Sequence, residues 1–259
     1  MLALERKNQI LAELLSKGNV VVADLSERYR VTKETIRRDL EKLAQEGYAH
    51  TTYGGAVRSD GTQTDLPYLV RRQTQVAGKR SIAACLAARI EDGQTLALDA
   101  SSSALFIARA LLSRKHLTVL TNSVELLTEL AGKTDWNILS TGGTLKENGL
   151  ALVGHTAERM VEAFHFNWAI LSCKGLDTEM GFSDSNEADA EMKRAFLRAA
   201  DRVVFAVDHS KFDQRSFVQV MPLTGANLVV TDVAPDSAWL DRFQAANVEL
   251  LIAEGDESC

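Results

Sequence analysis

From residue 95 onward the chain alternates seven short apolar runs, 95–98, 117–121, 137–140, 168–172, 202–207, 227–231 and 248–252, with stretches of helical pattern. Helices are expected near 102–112, 124–131, 156–164, 188–200 and 237–246, with one more ahead of them over 76–90. Strands this short and apolar, most of them followed by a helix, bury both faces in a parallel sheet covered by helices on both sides. The expectation is therefore a Rossmann-like, mostly parallel α/β domain over 76–259. The chain has 259 residues, beyond the roughly 100 to 150 of a typical domain, so a second domain is expected ahead of the sheet. A composition 46% hydrophobic and 25% charged is that of a globular protein and excludes disordered, collagenous and coiled-coil chains. No apolar run approaches the roughly 18 residues of a spanning helix, and Met1 to Lys7 turns charged too soon for a signal peptide. A cytoplasmic protein with no membrane partner is expected. Cys85, Cys173 and Cys259 lack pairing or metal-ligand spacing and are expected as free thiols, with no metal and no cofactor.

The net charge of −6 hides an asymmetry: residues 1–58 carry ten Lys and Arg against eight Asp and Glu, a local +2 that leaves −8 for the rest. Within this basic head Ile10, Leu11, Leu14 and Leu15 form a helical stripe that ends at Gly18. A short helix is expected over 23–29, then a tight connection through Arg30, Val31 and Thr32, whose hydroxyl is placed to cap the next helix. The third helix, 33–46, stops at Gly47, and β-prone residues over 48–57 surround the turn pair Gly54-Gly55, as in a hairpin wing. The domain boundary follows at 57, with 58–75 as linker around the polar, aperiodic run 58–67.

At about 100° per residue the third helix places Ile36, Leu40 and Leu43 on one face and Thr35, Arg38 and Lys42 on the other. A docked apolar stripe with a free basic face is what a recognition helix needs, Arg pairing with guanine and Lys neutralising phosphate. Arg37 lies nearer the boundary and suits phosphate. A charged face alone marks any surface helix, and Glu34, Glu41 and Glu46 dilute this one. The conjunction of three helices, a short turn, a wing with His50 and Tyr53, and the local charge makes DNA the expected partner.

The stretch Val31-Thr-Lys-Glu-Thr-Ile-Arg-Arg-Asp-Leu-Glu-Lys-Leu43, then Gly47 and Tyr53-Gly-Gly-Ala56, resembles the winged helix-turn-helix signature of the DeoR family of bacterial regulators of sugar catabolism. The resemblance implies that Thr32, Lys33, Thr35, Arg37 and Arg38, with Tyr53 and Gly54 of the wing, sit at double-stranded operator DNA. Lys42 joins them from the helical register.

In an open parallel sheet, ligands bind outside the carboxyl ends of the strands. The residues that follow the runs are Asp99, Ser101, Ser102 and Ser103; Asn122 and Ser123; Gly142 and Gly143; Lys174 and Asp177; and Asp208 and Lys211. Amides at helix starts, hydroxyls and Lys suit a phosphate, while Asp and Asn suit sugar hydroxyls. Asp, Ser, Asn and Gly are also favoured at strand-to-helix turns for capping alone, and Ser103 fits that role. Lys174 and Lys211 are harder to assign to capping, because a lysine just past a buried strand points to the crevice. The charges of Glu187, Asp189, Glu191 and Lys193 read as a solvated helix face, and His209 as a solvated turn histidine.

The body resembles the DeoR-type sensor domain, similar in fold to ribose-phosphate isomerases, in Leu98-Asp-Ala-Ser-Ser-Ser103, Thr118-Val-Leu-Thr-Asn-Ser123, Gly142-Gly143, Gly154, Gly175-Leu-Asp177 with Gly181-Phe-Ser183, and Asp208-His-Ser-Lys-Phe212. Asp189 stands where many members carry Glu, and Lys174 where many carry a small residue. Ser172-Cys-Lys-Gly-Leu-Asp177 with Asp184-Ser-Asn186 is most similar to the L-fucose operon activator branch, which adds Asn186 to the ligand candidates. The resemblance implies a homo-oligomeric regulator, dimer or tetramer, that is not an enzyme and whose DNA affinity responds to a phosphorylated sugar. The alternative is a sugar-phosphate isomerase or deaminase with an accessory head, in which Asp99, Asp177, Glu187 or Asp208 serves as general base.

Overall fold

The computed structural model describes residues 2–59, 66–146 and 150–253. The chain separates into two compact units, Met1–Thr74 and Gln75–Cys259.

In the head, α1 (Ala3–Lys17) is followed by β1 (Asn19–Val21), α2 (Val22–Tyr29), α3 (Lys33–Gln45), β2 (Ala49–Thr52) and β3 (Gly55–Arg58). Gly18 ends α1 in the left-handed conformation, φ +80°, and its amide donates to the Leu14 carbonyl. The apolar stripes meet as expected: Ile10, Leu11 and Leu14, Val22 and Leu25, and Ile36, Leu40 and Leu43 close one core. The wing gains a strand over the expected hairpin, because β1 pairs antiparallel with β3, giving the order β1-β3-β2. That third strand requires glycine at 55, where an added β-carbon would lie 1.9 Å from the Val20 carbonyl oxygen.

The expected connector over 58–75 is corrected at both ends. Arg58 ends β3, and α4 (Tyr68–Arg71) packs on the head with Val70 fully buried in its core. The sequence hid this because one helical turn shows no periodicity. The polar stretch 60–65 lies outside the described residues.

The body begins with α5 (Val76–Arg89), β4 (Thr95–Leu98), α6 (Ser102–Ala110), β5 (Thr118–Thr121), α7 (Val124–Leu130) and β6 (Asn137–Ser140). After β7 (Thr144–Leu145), β8 (Leu152–Val153) and α8 (His155–Glu162) come β9 (Phe166–Leu171), β10 (Gly175–Asp177), β11 (Gly181–Asp184) and α9 (Glu187–Arg198). The last described elements are β12 (Ala200–Ala206), β13 (Val218–Met221), β14 (Leu228–Thr231), α10 (Ser237–Ala245) and β15 (Glu249–Ile252).

Seven strands form one parallel sheet in the order β15-β14-β12-β9-β4-β5-β6. Alternate residues of its strands enter two different cores: Leu96, Ile170 and Val204 join α5 and α6 on one face, while Ala97, Ala169 and Phe205 join α8, α9 and α10 on the other. From β4 the chain winds outward through β5 and β6, then returns beside β4 with β9 and winds the other way. The winding reverses between β4 and β9, and a doubly wound sheet opens its crevice at the strand ends there.

All seven expected runs are strands of this sheet. Two antiparallel pieces, β7-β8 and β10-β11-β13, were not expected, being two- to four-residue strands too short to show alternation. The second is fixed to the main sheet by Phe182 stacked on Phe205, ring centroids 3.7 Å apart. Cys173 is free and buried, whereas Cys85 takes part in a disulfide, which corrects the expectation of three free thiols there. Among the described residues no helix is long and apolar enough to cross a membrane.

Candidate nucleic-acid interface and ligand crevice

In the head, the Thr32 hydroxyl accepts from the Thr35 amide at 3.2 Å and lies 2.9 Å from the Thr35 hydroxyl, capping α3. The cap fixes where α3 begins, and so which residues share its outer face. On that face Lys33, Arg37, Arg38 and Lys42 are exposed and Thr35 half-buried, the Arg38 side chain keeping 73% of its surface. Arg37 and Arg38 both lean on Glu34, at 3.8 and 3.6 Å, distances loose enough for a phosphate to compete. Tyr53 and Gly54 form the turn between β2 and β3, and the Tyr53 ring stands entirely in solvent.

Sequence reasoning missed Asp39. It sits in the apolar stripe of α3, 4% exposed, and accepts from the Nε of Arg6 on α1 at 2.6 Å. The signal was its position three residues after Ile36 and four before Leu43; the partner, 33 residues away, was not legible.

In the body, Asp99 follows β4 at the reversal of the winding and is 2% exposed. One carboxylate oxygen accepts from the Ser101 amide at 3.1 Å. The other accepts from the Ser172 amide, just past β9, at 3.1 Å and from Lys193 Nζ at 2.9 Å. Lys193, on α9, also reaches the carboxylate of Asp184 at the end of β11, again at 2.9 Å. This buried Asp99–Lys193–Asp184 bridge ties the main sheet, the small sheet and α9 together.

Burial alone would raise the carboxyl of Asp184, but Lys193, Lys174 and the Ser185 amide more than offset it and hold it below the usual carboxylate range. For Lys193 burial opposes the charge, and Asp184, Asp99 and Asp189 outweigh it, so the ammonium titrates above its ordinary value. The floor thus carries two carboxylates and one ammonium. Cys173 lies within the field of Lys193, Lys211, Asp184 and Asp208, and burial pushes its thiol up to about 12, so it stays protonated.

The structure therefore brings Asp99, Asp208, Lys174 and Lys211 into one electrostatic neighbourhood with Asp184 and Lys193. Ser101, Ser123 and Asn186 cap α6, α7 and α9, their side-chain oxygens accepting from Ala104, Leu126 and Asp189 amides. Ser102 and Ser103 are buried in the first turn of α6. Asn122 donates to the Leu152 carbonyl, and its side-chain oxygen is buried without a partner. Gly142 and Gly143 take positive φ in the loop after β6, Gly143 close against Val153 and Ala157.

Asp177 differs from expectation. Its carboxylate accepts from the Met180 and Glu179 amides in the β10-β11 turn and from Arg215, which together hold it below the usual range. Lys193 departs more: its side chain, read as part of a solvated face, is 10% exposed and is held between Asp99 and Asp184. Its signal was its place between Ala190 and Phe196, both fully buried.

The sequence matches the family described as DeoR-like helix-turn-helix domain over residues 6–62 and the DeoR C terminal sensor domain over 74–233. The chain belongs to the DeoR family. It is 36% identical to the uncharacterized HTH-type transcriptional regulator YulB of Bacillus subtilis, over 96% of each chain. It is 31% identical to the L-fucose operon activator of Haemophilus influenzae, over 88% of this chain and 91% of that one. It is 29% identical to the glycerol-3-phosphate regulon repressor of Escherichia coli K12, over 95% and 97%. A ribose 5-phosphate isomerase A from Methanocaldococcus jannaschii superposes with a TM-score of 0.39 at 14% identity, over 52% of this chain and 53% of that one, a likeness too distant to bear on function. The DeoR head and sensor descriptions make this chain a transcription regulator with a DNA-binding helix-turn-helix and a sensor body.

Proposed function

We propose that the head binds the operator of a carbohydrate-catabolism operon and that a phosphorylated sugar in the crevice of the body modulates that binding. The observation that carries the reading is the Asp99–Lys193–Asp184 bridge at the reversal of the winding. With two carboxylates against one ammonium the floor repels a phosphate and accepts from hydroxyls. Lys211 and Lys174, which follow β12 and β9, supply positive charge beside it. A ligand with hydroxyls at one end and phosphate at the other fits both. The buried Asn122 oxygen adds an acceptor for a further hydroxyl.

The regulator works as a homo-oligomer, dimer or tetramer, whose effector favours one of two arrangements with different DNA affinity. An isomerase is less favoured, since of the candidate bases Asp99 is tied to Lys193 and Asp177 to Arg215.

A thermal-shift series with glycerol 3-phosphate, ribose 5-phosphate, fructose 1-phosphate and glucosamine 6-phosphate tests the crevice. A ligand at about a hundred times its dissociation constant stabilises the fold by roughly 2.7 kcal/mol. Lys211→Ala removes the shift if that lysine takes the phosphate; an unchanged shift refutes the placement.

A further inference from the structure

Resting on that reading, we infer that His209 and Asp232 are positioning residues that link the crevice to the first turn of α5, where the chain passes from the head into the body. His209 directly follows Asp208 and opens the short turn His209–Lys211, so one rigid turn carries the buried Asp208, His209 and Lys211. The His209 amide donates to one carboxylate oxygen of Asp232 at 2.7 Å, and its Nδ1 lies 2.8 Å from the other. A single residue thus occupies both oxygens of a carboxylate whose side chain is 7% exposed.

Facing a carboxylate, Nδ1 is the hydrogen-bearing nitrogen of that contact, and Nε2 is the ring nitrogen left for a second partner. The Gln75 side-chain amide lies 3.5 Å from that Nε2. Gln75 is the first residue of the body unit and precedes α5 in the left-handed conformation, φ +49°, with no side-chain cap bond of its own. The carboxylate oxygen that faces Nδ1 also lies against α5: a β-carbon at Gly78 would lie 2.1 Å from it and 2.7 Å from the carboxyl carbon.

Asp232 therefore touches the crevice turn through two hydrogen bonds and α5 through a contact with no slack. A ligand that draws on Asp208 or Lys211 displaces His209, because the three share one turn. Asp232 follows His209, and α5 has no room to ignore the shift. Contiguity provides the path, and coupling is what the experiment must measure.

The test is amide hydrogen exchange on the full chain, with and without the four phosphorylated compounds named above. In the wild type, a compound that binds slows the Ser172 and Lys211 amides and changes exchange from Lys79 to Ile82 by about tenfold. His209→Phe, which keeps a ring and the main-chain hydrogen bond to Asp232 but removes both ring nitrogens, retains the slowing at Ser172 and Lys211 and weakens the change in α5. Asp232→Asn, with the carboxylate shape preserved, does the same, and decides the matter if the phenylalanine variant folds poorly. An α5 response undiminished in these variants overturns the link and leaves the crevice reading intact. A wild type that responds at neither place to any of the compounds overturns the crevice reading, and the link with it.

Discussion

The head and the body each bury a charge in the apolar stripe of a helix, and they balance it differently. In the head, Asp39 of α3 meets Arg6 of α1 one to one. In the body, Lys193 of α9 meets two carboxylates. A balanced pair between two helices has a structural task, holding the recognition helix at a fixed angle to α1. An unbalanced set at the strand ends of a parallel sheet leaves a net negative charge where the proposed ligand would lie. The same device thus serves rigidity in one unit and, in the function proposed above, recognition in the other.

Lys193→Met breaks the comparison most severely. It removes the ammonium that both buried carboxylates share and leaves Asp184 only the field of Lys174, which costs about 3–5 kcal/mol in chemical denaturation. The loss depends on pH with a definite sign. Asp184 titrates below its ordinary value in the fold, so its stabilisation is present above the unfolded carboxyl value of about 4 and vanishes as pH falls through the folded one. Lys193 titrates above its ordinary value, so its contribution is present below about pH 10.4 and vanishes only above it. The gap between wild type and variant is accordingly widest between neutral pH and about 10 and closes toward acid, starting where Asp184 of the variant, raised by burial once Lys193 is gone, takes up a proton.

Asp39→Met comes next, at about 3 kcal/mol, since Arg6 is then left buried without its partner. Adding Arg6→Met restores most of that stability, because a balanced pair is replaceable by apolar side chains of similar volume. Arg6→Met/Asp39→Met falling short by more than Asp39→Met alone would show that the pair is more than a strut. No single second substitution restores Lys193→Met, with two carboxylates to neutralise.

Arg38→Ala weakens binding to operator duplex by about 1–3 kcal/mol and leaves the melting temperature unchanged, since its side chain is exposed and its ion pair loose. Thr32→Ala has the smallest effect, about 1 kcal/mol of stability from the lost cap, read by thermal melting.

The contrast also explains how much was legible in the sequence. The seven strands, the helices between them and the three helices of the head follow from apolar periodicity, which is local. That Asp99, Asp208, Lys174 and Lys211 follow strands was legible because position after a strand is local too. Asp39 and Lys193 were passed over, and Asp184 entered only within a family motif, because a charge in an apolar stripe acquires meaning from a partner 33 or 94 residues away. Asp177 followed a run that looked like its neighbours, yet it closes a hairpin turn. Neither α4 nor the short antiparallel strands were visible, being too brief for any period to register.

The account turns on communication between the two units, and one titration measures it: fluorescence anisotropy of a duplex that the wild type itself selects from random sequence, with and without each of the four phosphorylated compounds. The account predicts that at least one compound shifts the affinity by about 5- to 150-fold, that Lys211→Ala binds the duplex as wild type does, and that Lys211→Ala no longer responds. An affinity indifferent to every compound, or a response that survives Lys211→Ala, would contradict it.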